Sequence, residues 1–281
     1  MLNHMVLSIS ATQLLETVGY AVIPSILPDS QVQHLSRLIT SFVDATHSTR
    51  KLLDAPWCSE LGEQLRVDPH LRPLLPSNAQ VVQCTLFAKS VEKNWLVSLH
   101  QDLSVPVAGR VESSQCSGWS QKEGDLFVQP PIAVLEDIVA IRVHLDDCDE
   151  SNGALRVVSG SHRLGRLTSS AAIEERNRCG ECSVAVARGG VMVMRPLLLH
   201  ASSKASSDAP RRVLHFVFGP SDLPEGLRWP TRERTVVNAR CGSRSDRRRP
   251  DPGRSQEWYA LSERRAPRGQ TRSAAVPKYL P

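Results

Sequence analysis

The chain predicts a mainly-β protein, an antiparallel jelly roll with flanking N-terminal helices. Two observations carry this. From Val81 onward, β-branched or alternating runs recur between clusters of Gly, Pro, Asn and Ser, whereas helical periodicity is concentrated before Asn78. No strand–helix–strand alternation is visible, so a parallel sheet is not expected.

Ala11 to Val18 predicts a helix that feeds a short strand over Gly19 to Pro24. Asp29 or Ser30 can cap a second helix, with Val32, Leu35, Leu38, Ile39, Phe42 and Val43 on one face. A third helical patch runs from Ser59 to Leu65, and Pro69, Pro73 and Pro76 then punctuate the chain. The expected strands are Val81–Ala88, Trp95–Val107, Ile138–Leu145, Ala154–Val158, Ser183–Ala187, Val191–Met194 and Arg211–Phe218. One helix, near Ser169–Arg178, interrupts them.

At 281 residues, with 41% hydrophobic and 22% charged residues, the composition is that of a soluble globular protein. No apolar run reaches the ~18 residues of a membrane span. Met1 to Ser10 lacks a basic region followed by a long apolar run, so no signal peptide and a cytoplasmic location are expected. Seven scattered cysteines suggest no disulfide framework. Cys179-Gly180-Glu181-Cys182 has redox or zinc-knuckle spacing, but no second pair follows it and the next segment reads as a strand. Residues 240–281 hold eleven Lys and Arg against four Asp and Glu, so the first 239 residues carry −2 of the chain's net +5. The body has no nucleic-acid footprint, and no nucleic-acid or membrane partner is expected. A domain over 1–239 and a basic tail over 240–281, disordered by composition, follow.

His100-Gln101-Asp102 places a histidine and a carboxylate two apart, on one face of a strand. His200, just past a strand that ends at Pro196, can supply a third ligand. Two histidines and a carboxylate form the facial triad of non-haem Fe(II) oxygenases, which leaves coordination positions open. Arg211 opens a strand on which Val213 and His215 share its face. An inward arginine in an apolar barrel calls for an anion, and a guanidinium suits a carboxylate. Arg142 shares the parity of His144, and it can line the substrate pocket or face solvent. The alternative to an enzyme is a non-catalytic metal- or ligand-binding jelly roll with a structural zinc; Arg211 argues against it, because such a site needs no carboxylate clamp.

The arrangement of His100, Asp102, His200 and Arg211, with Arg211 eleven residues after His200, resembles the phytanoyl-CoA dioxygenase family of Fe(II)- and 2-oxoglutarate-dependent oxygenases. So do Asn94-Trp95, Asp146-Asp147 and the Asn152-Gly153-Ala154-Leu155-Arg156-Val157-Val158-Ser159-Gly160-Ser161-His162 stretch. The resemblance covers roughly residues 11 to 230. It implies a cupin-like double-stranded β-helix, with Fe(II) held by His100, Asp102 and His200. It implies 2-oxoglutarate bound by Arg211 and Ser202, with Trp119 lining its pocket and Lys89 nearby. O2 would be the co-substrate and ascorbate the assay reductant. Retained Asp102 points to hydroxylation rather than halogenation. Leu99 and Ser159 depart from the family pattern, so the small-molecule substrate is not carried over. His162 is expected to stabilise its loop rather than bind metal.

Overall fold

The N-terminal helices form as their caps and periodicity dictate. Ser10 caps α1 (Ala11–Thr17): its hydroxyl accepts from the Gln13 backbone N–H, and the Gln13 side chain accepts from the Ser10 N–H. α2 (Asp29–Thr46) follows strand β1 (Tyr20–Ile23), and α3 (Pro56–Val67) starts with proline in its first turn. The structure is a computed structural model that describes residues 9–46, 49–90 and 94–231. The expected tail over 240–281 lies outside the described residues. Among those described, no helix is long and apolar enough to cross a membrane.

The strands build three antiparallel sheets. The largest orders β1, β10 (Val191–Met194), β7 (Val139–His144), β12 (Arg211–Gly219) and β2 (Gln80–Lys89). A second orders β3 (Val97–His100), β11 (His200–Ser202), β8 (Leu155–Val157) and β9 (Cys182–Val184). A third orders β4 (Val105–Val107), β6 (Asp125–Gln129) and β5 (Ser117–Lys122). The helices α4 (Ile132–Glu136) and α5 (Ser169–Cys179) complete the fold, the double-stranded β-helix that the pattern predicts.

Alternation sorts the large sheet into two chemistries. Val139, Ile141 and Val143 of β7, Val191 and Val193 of β10, and Leu214, Phe216 and Phe218 of β12 are buried on one face. They form one cluster with Val32, Leu35 and Ile39 of α2 and Leu61 and Leu65 of α3. The opposite face carries the polar residues in cross-strand rows: His215 pairs with Arg142 and Thr85, Val213 with His144 and Phe87, and Arg211 with Lys89.

Three expectations are corrected. The strand expected over Trp95–Val107 is two strands in different sheets, because the backbone leaves the ladder after His100 and the Asp102 N–H bonds the Pro196 carbonyl instead. The strand expected over Ser183–Ala187 is β9 plus an isolated bridge between Cys148 and Val186. The β5–β6 hairpin was not expected, nor was α4. The hairpin turns at Glu123 and Gly124, with φ of 51° and 89°, the double positive φ of a tight two-residue turn.

Phe216→Ala removes a fully buried ring from between the large sheet and the helices. It should lower unfolding free energy by about 3–5 kcal/mol. A urea titration would show this as a lower midpoint at unchanged slope.

Candidate metal centre and anion pocket

β3 and β11 pair so that His100 lies opposite His200, with ring centroids 4.2 Å apart. Asp102 then folds back over the two rings. Its Oδ1 is 3.6 Å from His100 Nε2 and its Oδ2 3.8 Å from His200 Nε2. One ligand atom from each of the three residues lies within 4.8 Å of the others. Each histidine is oriented by a backbone carbonyl two residues before it. His100 Nδ1 lies 2.8 Å from the Ser98 oxygen and His200 Nδ1 2.9 Å from the Leu198 oxygen. A carbonyl only accepts, so both Nδ1 atoms carry a proton, and Nε2 of each neutral imidazole is the nitrogen left to ligate. Burial holds His200 neutral, with its pKa lowered to about 4. Burial also opposes charge on Asp102 and His100, yet Asp102 is lowered by His200, His100 and His215, and His100 is raised by the Asp102 carboxylate and by the Ser98 and His200 backbone carbonyls. This donor set suits a divalent transition metal.

A third imidazole approaches the carboxylate: His215 Nε2 is 3.9 Å from Asp102 Oδ2. Its Nδ1 lies 3.1 Å from the Arg142 guanidinium. Arginine only donates, so here Nδ1 is the acceptor and Nε2 carries the proton. His215 thus presents a donor where the other two present lone pairs. Arg142 is buried, with its guanidinium over the Phe87 ring, which settles the choice that sequence parity left open.

Beyond the triad, three cations are buried together. Lys89 is 1% exposed and Arg211 3%. The Lys89 ammonium donates to Ser202 Oγ at 2.7 Å and to the Ser203 carbonyl, and Arg211 donates to the Gly153 carbonyl. Neither these two nor Arg142 has a carboxylate within ion-pair distance among the described residues. Nε of Arg211, Nε of Arg142 and both ring nitrogens of His144 are buried without a hydrogen-bond partner. Burial and the neighbouring Arg211 lower Lys89 to about 8 and Arg142 to about 10. Buried cations without a carboxylate partner favour an anionic ligand.

The structure thus brings together His100, Asp102, His200, Ser202, Arg211 and Lys89. Trp119 is not among the residues in these contacts: Arg110 lies over its ring, and it packs against the cluster that holds Val105, Val107 and Leu135. Residues that sequence reasoning did not assign to the site are Arg142, His144 and His215, all on inward positions of β7 and β12. Cys148 also borders it, hydrogen-bonded to Arg211 and with its thiol pushed up by burial. Parity was the available signal for the first three; nothing local marks Cys148. His162 lies against Gly19, with Nε2 3.2 Å from the Glu16 carbonyl, in its loop and away from the triad.

The model of the phytanoyl-CoA dioxygenase family matches residues 15–213. The chain belongs to this family. With it, the chain takes its place among the Fe(II)- and 2-oxoglutarate-dependent oxygenases. No curated protein sequence matches it significantly. Among solved structures it is similar to EctD from S. alaskensis, at 18% identity and a TM-score of 0.60, covering 84% of this chain and 88% of that one. It is similar to SnoK, a non-haem α-ketoglutarate-dependent carbocyclase from nogalamycin biosynthesis, at 15% identity and 0.57, covering 77% and 85%. It is also similar to HygX from Streptomyces hygroscopicus, solved with nickel and 2-oxoglutarate, at 16% and 0.54, covering 76% and 88%. At these identities the likeness establishes the fold.

His200→Ala should lower Co(II) affinity by more than the about 10- to 100-fold typical of losing a group that only orients a ligand. Titration against a metal-sensing chelator dye measures it.

Proposed function

We propose that this family member hydroxylates an unactivated C–H bond of a small molecule, with release of succinate and CO2. The observation that carries the reading is the juxtaposition of a two-histidine, one-carboxylate set with a buried cationic pocket that has no carboxylate of its own. A structural metal site would explain the first feature and leave the second unexplained.

In this reading His100, Asp102 and His200 hold Fe(II), which, when bound, supplies the O2 chemistry. Arg211, Ser202 and Lys89 hold the distal carboxylate of 2-oxoglutarate, where a planar guanidinium and a short ammonium contact complement each other. Breaking the Arg211 bond to Gly153 and the Lys89 bond to Ser203 is offset by stronger, charge-assisted bonds to the anion. Oxidative decarboxylation of 2-oxoglutarate would supply two of the four electrons that O2 takes up, and the substrate C–H bond the other two. One oxygen atom would enter succinate and the other would be inserted into the C–H bond, so atoms and electrons balance. Asp102 occupies a protein-ligand position that a halide would otherwise take, which favours hydroxylation. The apolar wall beside the triad keeps water from the reacting carbon.

The test is succinate release by the purified protein with Fe(II), ascorbate and 2-oxoglutarate, first uncoupled and then with a panel of metabolites. Activity should vanish in His100→Ala. Arg211→Met should raise KM for 2-oxoglutarate about 10- to 100-fold, the worth of a hydrogen bond to a charged group. Failure of the intact protein to bind 2-oxoglutarate by calorimetry would sink the reading.

Affinity for 2-oxoglutarate should also depend on pH. Lys89 titrates near 8 in the free protein, and an anion binds the protonated ammonium. Affinity therefore weakens as pH rises above about 8, by up to about tenfold per unit until the pKa of the bound state is reached. Calorimetry from pH 7 to 9 measures this, and Lys89→Met should flatten the profile.

A further inference from the structure

A cavity of about 380 Å³ opens beside the triad, lined by His100, Asp102 and His215 at the metal centre. Its size is at the lower end of the range for ligand pockets, about 300–1,000 Å³, so its occupant is compact. Much of the wall is apolar, with Phe87, Leu103, Val105, Phe127, Leu135 and Ile138 prominent. Against this wall stand two cations, Lys122 and Arg50.

The two differ in how far they are neutralised. The Arg50 Nε is 3.9 Å from the Glu123 carboxylate, which also accepts from the backbone N–H groups of Thr49 and Arg50. Lys122, next in the chain to Glu123, makes no hydrogen bond or ion pair among the described residues. Its ammonium lies 4.7 Å from the centroid of the Phe127 ring, half-buried on the cavity wall. Asp102 is the one acid among the lining residues. A divalent cation on the triad uses that charge. Arg142 adds a further buried positive charge directly behind His215. The cavity thus joins a positive charge at Lys122 to an apolar wall and to the triad.

We propose that the cavity takes a compact carboxylate with an apolar body, the carboxylate held by Lys122 with Arg50 behind it. The apolar body then lies along Phe87, Phe127 and Ile138, with a C–H bond near the triad. This rests on the oxygenase reading and sharpens it to a substrate class. A neutral ligand of the same shape leaves Lys122 desolvated and unpaired, and a cationic one meets it directly; both are selected against. The cavity is distinct from the 2-oxoglutarate pocket, since Arg211, Ser202 and Lys89 do not line it.

The experiment is calorimetric titration of the Ni(II)- and 2-oxoglutarate-loaded protein with hexanoate, hexan-1-ol and hexylamine. Hexanoate should bind at least about tenfold more tightly than the other two, as a charge-assisted bond implies. Lys122→Glu should abolish or reverse that preference, whereas Lys122→Arg should keep it. Equal affinity for the three probes, no binding of hexanoate, or a preference unchanged in Lys122→Glu would overturn the inference. A preference lost only in Arg211→Met would do so too, by placing the probe in the other pocket. The 2-oxoglutarate loading step separates the two readings: without loading, the oxygenase reading fails, and with loading but no anion preference, this inference alone fails.

Discussion

Three cations share the inner face of one sheet without a carboxylate of their own, and much of the structure serves to hold them there. Lys89, Arg142 and Arg211 are all at most 4% exposed. Taking such groups from water costs several kcal/mol each even after relaxation, and mutual repulsion adds to it. Their hydrogen bonds go to carbonyls, a hydroxyl and an imidazole, which solvate a cation without neutralising it. The fold therefore holds a standing demand for negative charge. The offset comes from the opposite face of the same strands, where Phe216, Phe218, Leu214, Ile141 and Val143 bury their side chains against the helices.

That division makes register decisive. A slip of β12 by one residue would turn Leu214 and Phe216 into the barrel and send Arg211 and His215 to the helices. The strand is pinned at its start. Arg212, outward between the two inward positions, donates to both Asp146 oxygens at 2.7 and 2.9 Å, while its backbone N–H adds a third bond at 2.8 Å. The fork geometry tolerates little displacement along the strand. Asp146 thus acts at a distance: it holds the neighbour of Arg211, and so the anion pocket, in place.

The sequence made the fold class and the triad legible, for physical reasons that also mark where it stopped. Period-two patterning names strands without naming sheets, so the chain turning at Asp102 read as a continuation of its strand. The β5–β6 hairpin escaped because Ser117–Lys122 has few β-branched residues, though Glu123-Gly124 suits a tight turn. Side chains related by spacing along the chain, such as His100, Asp102 and Arg211, could be put forward from the sequence. Those that work through cross-strand neighbours could not: Arg142 acquires meaning only from His215 opposite it, seventy-three residues away.

That cross-strand pair bears on why the ligand set is two histidines and a carboxylate. Three imidazoles surround Asp102, and distance alone separates them poorly: their Nε2 atoms lie 3.6, 3.8 and 3.9 Å from its oxygens. Protonation separates them well. For His100 and His200 a backbone carbonyl fixes the proton on Nδ1 and leaves Nε2 free to ligate. For His215 the guanidinium of Arg142 forces the opposite tautomer, and an Nε2 that carries a proton has no lone pair to give a metal. In the proposed site Arg142 would thereby keep His215 from ligating, and it makes His215 a hydrogen-bond donor facing Asp102 and the cavity. On the proposed ligand set, a buried arginine that costs stability in its own right would preserve coordination positions that a third histidine would close.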